Sequence, residues 1–133
     1  MKKILLFFVL LVSFTVTANS QTGNLVDQVV SMLNNECPMD MGDGLTLTRA
    51  SKTTANMVMD FTLDAATWKE AYENQDLFKQ TMVTMASSEE GIVAIFSILI
   101  LDGKGLKMTM TNEDTKQSFS IVFSTDELSS AIQ

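Results

Sequence analysis

Gly91-Ile92-Val93-Ala94-Ile95-Phe96-Ser97-Ile98-Leu99-Ile100-Leu101 is the run at which two architectures part company. From Ile92 to Leu101 only Ser97 is polar, so periodicity cannot separate a buried strand from a buried helix. Five β-branched residues, followed by Asp102-Gly103-Lys104-Gly105, favour a hairpin strand. Against that, Ser87, Ser88, Glu89 and Glu90 would make an acidic first helical turn. Gly103 would then sit as the C-terminal cap of the same helix. A helix here also makes the two halves of the chain match, and a helix is the expectation.

The match between halves is specific. Gly44-Leu45-Thr46-Leu47-Thr48 is echoed by Gly105-Leu106-Lys107-Met108-Thr109, 61 residues later. Each is followed by a polar turn, Ser51–Ala55 or Asn112–Lys116. Then comes an alternating run, Met57, Met59, Phe61 or Phe119, Ile121, Phe123, at an offset of 62. Each half ends at an aspartate, Asp64 or Asp126. Similar patterning at a nearly fixed offset is a signature of internal repetition.

Outward from these hairpins, Leu25, Val26, Val29, Val30, Met32 and Leu33 have helical spacing, with Asn24 as the expected N-cap. Cys37-Pro38 stops that helix, and Met39–Gly44 reads as a connector. Residues 65–86 read as helical, starting near Trp68 from the Thr67-x-x-Glu70 capping spacing and liable to break at Asn74-Gln75-Asp76. Asp126 is the expected cap of a closing helix with Leu128 and Ile132. The expectation is therefore one α+β domain over 21–133. It comprises two α-β-β-α pseudo-repeats, about 24–86 and 88–133, whose hairpins merge into a four-stranded antiparallel sheet covered by helices.

The N-terminus has the pattern of a secretory signal. Lys2 and Lys3 precede an apolar run from Ile4 to Val12, and Ala18-Asn19-Ser20 supplies small residues at −3 and −1 before Gln21. Thr15, Thr17 and Asn19 interrupt the run before the ~18 apolar residues that a membrane span needs. Residues 1–20 are thus expected to be removed, with no stable membrane anchor left after cleavage. The single cysteine, Cys37, follows Asn34-Asn35-Glu36 and lacks the context of a lipidation site. Alone, it also cannot form an internal disulfide, and burial as a small hydrophobe is its expected state.

Charge narrows the partners. The chain carries 9 basic and 16 acidic residues, a net charge of −7. Without Lys2 and Lys3, seven basic residues face the sixteen acids, giving −9. That balance disfavours nucleic acid, which needs Lys and Arg on its phosphates. It equally disfavours anionic membrane surfaces.

The sequence contains no histidine, which removes Ser-His-Asp and Cys-His catalysis and every His-containing zinc site. Gly42-x-Gly44 and Gly103-x-Gly105 are isolated turn glycines rather than a phosphate loop. Asp40 and Asp43 lack the spacing of a calcium loop. The carboxylate pairs Glu89/Glu90, Glu113/Asp114 and Asp126/Glu127 fall at expected helix starts or hairpin tips, where capping and solvation explain them. A carboxylate-based hydrolase is nonetheless the main alternative function. Methionine is the unusual class, with ten residues and the pairs Met39/Met41, Met57/Met59 and Met108/Met110. Thioethers beside a thiolate suit Cu(I), so Cys37, Met39 and Met41 are the candidate metal ligands of a lesser alternative. No resident cofactor is expected.

The run Cys37-Pro38-x-Asp40-x-Gly42-x-Gly44-Leu45-Thr46-Leu47-Thr48, together with Thr125-Asp126-Glu127-Leu128, resembles small exported bacterial α+β proteins. That resemblance spans most of residues 21–133 and brings no established activity with it. The tandem layout is also similar in outline to small secreted inhibitor modules, an analogy of fold only. The function expected is that of an exported, non-enzymatic binding module in the periplasm or outside the cell. Its partner would be a protein or small ligand of the envelope. Trp68 and Tyr72, the only residues of their kinds, lie one helical turn apart and are the candidate partner-binding pair.

Overall fold

The apolar run after Gly91 is helical in the computed structural model, which describes residues 25–42, 44–88 and 90–132. In chain order the elements are α1 (Leu25–Glu36), β1 (Met39–Gly42), β2 (Leu45–Lys52), β3 (Asn56–Leu63), α2 (Ala65–Glu73), α3 (Gln75–Ser88), α4 (Glu90–Leu101), β4 (Gly105–Asn112), β5 (Ser118–Phe123) and α5 (Thr125–Ala131). Ile95, Phe96 and Leu99 of α4 are buried, which is why that run needs no polar stripe. The helix ends where expected. The N–H of Gly103 (φ 68°) bonds Ile100 C=O at 3.0 Å, and that of Lys104 bonds Leu99 C=O at 2.9 Å. This is a Schellman closure, and it favours glycine at the left-handed position.

The five strands lie in the order β1-β2-β3-β4-β5, antiparallel throughout except for the parallel pair β3–β4. The expected four-stranded antiparallel sheet is therefore overturned twice. First, Met39–Gly42, expected to be connector, pairs with β2 as an edge strand through Met39↔Leu47, Asp40↔Thr46 and Gly42↔Leu45. Its four residues, bulge and Gly42 at φ 85° leave no alternation to detect. Second, the hairpins meet head to head at β3 and β4. A connection long enough to hold α2, α3 and α4 returns the chain to the same end of the sheet, so β4 runs alongside β3 in its direction.

Strand alternation puts one face of the sheet into the core. Leu47, Phe61, Met110 and Phe119 are register partners across four strands, as are Ala50, Met59, Met108 and Ile121. The helices pack on this face through Val26, Val29, Leu33, Trp68, Ile95, Phe96, Leu99 and Leu128. Met57, Met59, Met108 and Met110 are all buried here, so these two Met pairs are core packing. The opposite face carries a row of hydroxyls, Thr46, Thr62, Thr111 and Ser118.

Two helix starts differ from expectation by a few residues. Asp64, rather than Thr67, caps α2, its carboxylate accepting the Thr67 N–H at 2.8 Å. Ser124, rather than Asp126, caps α5 in a reciprocal box with Glu127. Asn74 separates α2 from α3, as the polar tripeptide there suggests. Asn24, Glu89 and the signal segment 1–20 lie outside the described residues. No helix among the described residues is long and apolar enough to cross a membrane.

Candidate functional site

Because Asp64 fixes the first turn of α2, Trp68 and Ala71 face the sheet and Tyr72 follows one turn after Trp68. Trp68 is 8% exposed, and its indole N–H donates to Met110 C=O at 3.1 Å. Its ring stacks on Tyr72 at 4.9 Å between centroids and 16° between planes. Phe119 of β5 completes the cluster, edge-on to Trp68 at 5.8 Å and tilted against Tyr72 at 5.6 Å. Tyr72 is 49% exposed, so one part of its ring rests on Trp68 and the rest meets solvent. The two residues singled out from sequence thus touch, in unequal roles: Trp68 is a core anchor and Tyr72 the surface it supports.

Phe119 was missing from the sequence-derived pair. Alternation along β5 placed it on the inward face, but its contact with α2 joins residues about fifty positions apart, beyond any local pattern. Val122, also on β5, is 43% exposed on the opposite face. The last strand therefore carries apolar side chains on both sides. The acids nearest in sequence to this strand and to Tyr72 are Glu73, Glu113, Asp114 and Asp126, all exposed. Lys116 directs its ammonium to the Glu113 backbone carbonyl at 2.8 Å, and Lys79 pairs with Glu127 at 2.6 Å.

The metal candidates are placed differently. Cys37 and Met39 are half-buried and pack against the core, while the Met41 side chain lies outside the described set. Burial first, then the neighbouring Glu36 charge, push the Cys37 thiol up. A raised thiol disfavours the thiolate that a soft metal ion needs. Among the described residues no group of three or more Cys, Asp or Glu is arranged to hold a metal.

Two carboxylates are engaged in structural work, and another pair stands in solvent. Glu127 is held below its usual range by the Lys79 ammonium and the Ser124 backbone N–H, so it stays ionised where a general acid would need its proton. Asp64 is lowered by the Thr67 N–H that it caps. Glu113 and Asp114 stand at the exposed tip of the β4–β5 hairpin, where Asn112 Oδ1 accepts the Asp114 N–H at 2.9 Å. A shallow open depression along α3, lined by Asp76, Lys79, Gln80, Val83 and Thr84, contributes a single carboxylate.

No protein-family model and no curated relative matches the sequence. Two solved structures are similar in fold. An inferred secreted protein from Pseudomonas aeruginosa has a TM-score of 0.66 and 12% identity, covering 80% of this chain and 92% of its own. A pilotin, EpsS, of the Vibrio vulnificus type 2 secretion system has a TM-score of 0.59 and 13% identity, covering 81% of this chain and 92% of its own. The chain accordingly resembles small exported bacterial α+β proteins, as its motifs implied. Identities this low speak to the fold alone.

Proposed function

We propose that this chain is an exported, non-enzymatic binding module of the bacterial envelope whose partner is a protein. One observation carries the reading: an exposed aromatic, Tyr72, is held flat against a buried Trp68 and flanked by Phe119. Aromatic anchors on rigid support bring large contact area at little loss of side-chain freedom. The fold neighbours support the location, since one is inferred to be secreted and the other belongs to a secretion system. A periplasmic or secreted site is consistent with both. The pilotin likeness further supports a protein, rather than a small molecule, as the partner. Residues 1–20 would direct export and be removed before Gln21.

The test is affinity capture from envelope extracts with the mature chain, compared with Tyr72→Ala. The expected result is a protein retained by the parent and lost in the variant. Equal retention would take the site away from Tyr72, and hydrolysis of envelope substrates without capture would overturn the binding reading.

A further inference from the structure

The two edges of the sheet are built differently. At one end, β1 is four residues long and bulged, and the Asp40 carboxylate accepts the Gly42 N–H at 2.8 Å. These are the devices by which natural sheets close an edge to further pairing. At the other end, β5 is six residues long, Ser-Phe-Ser-Ile-Val-Phe, with no charge, proline or bulge.

The hydrogen-bond phase of β5 shows which groups face outward. The Asn112 N–H bonds Gln117 C=O at 2.8 Å, so the 112/117 pair belongs to the bonded set. Bonded and non-bonded pairs alternate in an antiparallel ladder. Phe119, Ile121 and Phe123, opposite Met110, Met108 and Leu106, therefore turn their backbone groups toward β4. Ser118, Ser120 and Val122 turn theirs outward, where no strand pairs with them among the described residues. Above this edge stand Phe119 and Tyr72 on the helix side, with Val122 on the open side.

From this arrangement, and resting on the binding-module reading, we infer that the outer edge of β5 accepts an extended segment of a partner protein as a sixth strand. The segment alternates apolar residues toward Tyr72 and carries Lys or Arg at its two ends. Main-chain bonds supply affinity in this mode, and side-chain sites supply selection. The ends of β5 define the charge. Glu113 and Asp114 precede it and Asp126 follows it, three acids against the single cation Lys116 beside them, while Lys79 is paired with Glu127. A second copy fits poorly. Antiparallel self-pairing would bring Glu113 and Asp114 of one copy against Asp126 of the other, on mature chains that already carry −9 each.

The probe is the peptide acetyl-Lys-Arg-Val-Thr-Tyr-Thr-Val-Lys-Arg-amide, titrated into the mature chain and followed by amide NMR and hydrogen exchange. The expected result is slowed exchange confined to the Ser118, Ser120 and Val122 amides. Affinity should fall at least tenfold when alternate peptide amides are N-methylated, or when the four basic residues become Glu. Ser120→Pro removes one outward N–H at an edge position that tolerates proline, and it should weaken binding by a similar factor. Undiminished binding of the N-methylated peptide, or protection mapping elsewhere, overturns the inference whether or not Ser120→Pro folds. A dimer in sedimentation that Ser120→Pro dissociates makes a second copy the occupant and also overturns it. If envelope capture is equal for the parent and Ser120→Pro, the edge proposal fails while the binding module stands. If neither peptide nor extract protein binds, both fail.

Discussion

Trp68 is the natural residue to mutate in a binding experiment, and the structure says it is the wrong one. Its indole is 8% exposed, supports Tyr72 and Phe119, and donates to Met110 C=O. Trp68→Ala removes a buried aromatic, a change that costs about 3–5 kcal/mol. Trp68→Phe keeps a ring but deletes the N–H to a buried carbonyl, at about 1–3 kcal/mol. Tyr72→Ala loses a half-exposed ring and one stacking contact, worth about 0.5–1.5 kcal/mol. With a urea slope of about 1.5 kcal/mol/M, within the range for small domains, the midpoint should fall by roughly 2–3 M, 1–2 M and under 1 M respectively. Far-UV circular dichroism is the appropriate assay, because Trp68 is the only tryptophan and two of the variants lack it. A Trp68→Ala midpoint within ~0.5 M of the parent would refute the core-anchor assignment, at the slope used above. So would equal losses for Tyr72→Ala and Trp68→Ala.

Three further outcomes follow from the geometry. A Cβ at Gly105 would lie 2.4 Å from the Phe123 carbonyl oxygen, whereas one at Gly103 meets nothing within 4 Å. Gly103→Ala should therefore cost only the left-handed strain of about 1–2 kcal/mol, and Gly105→Ala should cost more in the same urea titration. Asp64 and Glu127 both have lowered folded-state pKa values. Their stabilisation is present above the unfolded values of about 3.9 and 4.3 and is lost as pH falls through the lower folded ones. The urea midpoint should thus drop on acidification below about pH 4.5, and the drop should be shallower in Glu127→Gln. Finally, intact mass of protein recovered from the envelope should correspond to a chain starting at Gln21, and a species retaining residues 1–20 would contradict the signal reading.

What the sequence made legible was local. Helix α4 could be chosen over a strand because Gly103 supplied a stop and Glu90 an acidic start, both short-range features. The β2–β3 and β4–β5 hairpins were equally visible, since each alternates on either side of a polar turn. The sheet's order and sense were not, because they depend on how the chain returns after α2, α3 and α4. β1 escaped detection for another reason. Asp40 and Gly42 have turn chemistry, and a four-residue edge strand is held by main-chain bonds to β2 that no side-chain pattern encodes. At the candidate site, the helical spacing of Trp68 and Tyr72 announced their contact. Their unequal burial was hidden, because it is set by Phe119 and the Met110 carbonyl arriving from the far end of the chain.

The parallel pair at the middle of the sheet also sets an order of events for a chain delivered N-terminus first through a membrane. β2 and β3 can zip as soon as they emerge, separated as they are by residues 53–55. β3 then has no second neighbour until β4 follows, and residues 64–104, about 40 in all, must come through before that. Closing a loop of that size costs roughly 3 kcal/mol beyond a fixed term, which the β3–β4 contacts repay only on arrival. Until then the main-chain groups along the β4 side of β3 have no strand to pair with, leaving an open strand edge to whatever waits on the far side. A chain of this topology has reason to be met by a holdase as it emerges.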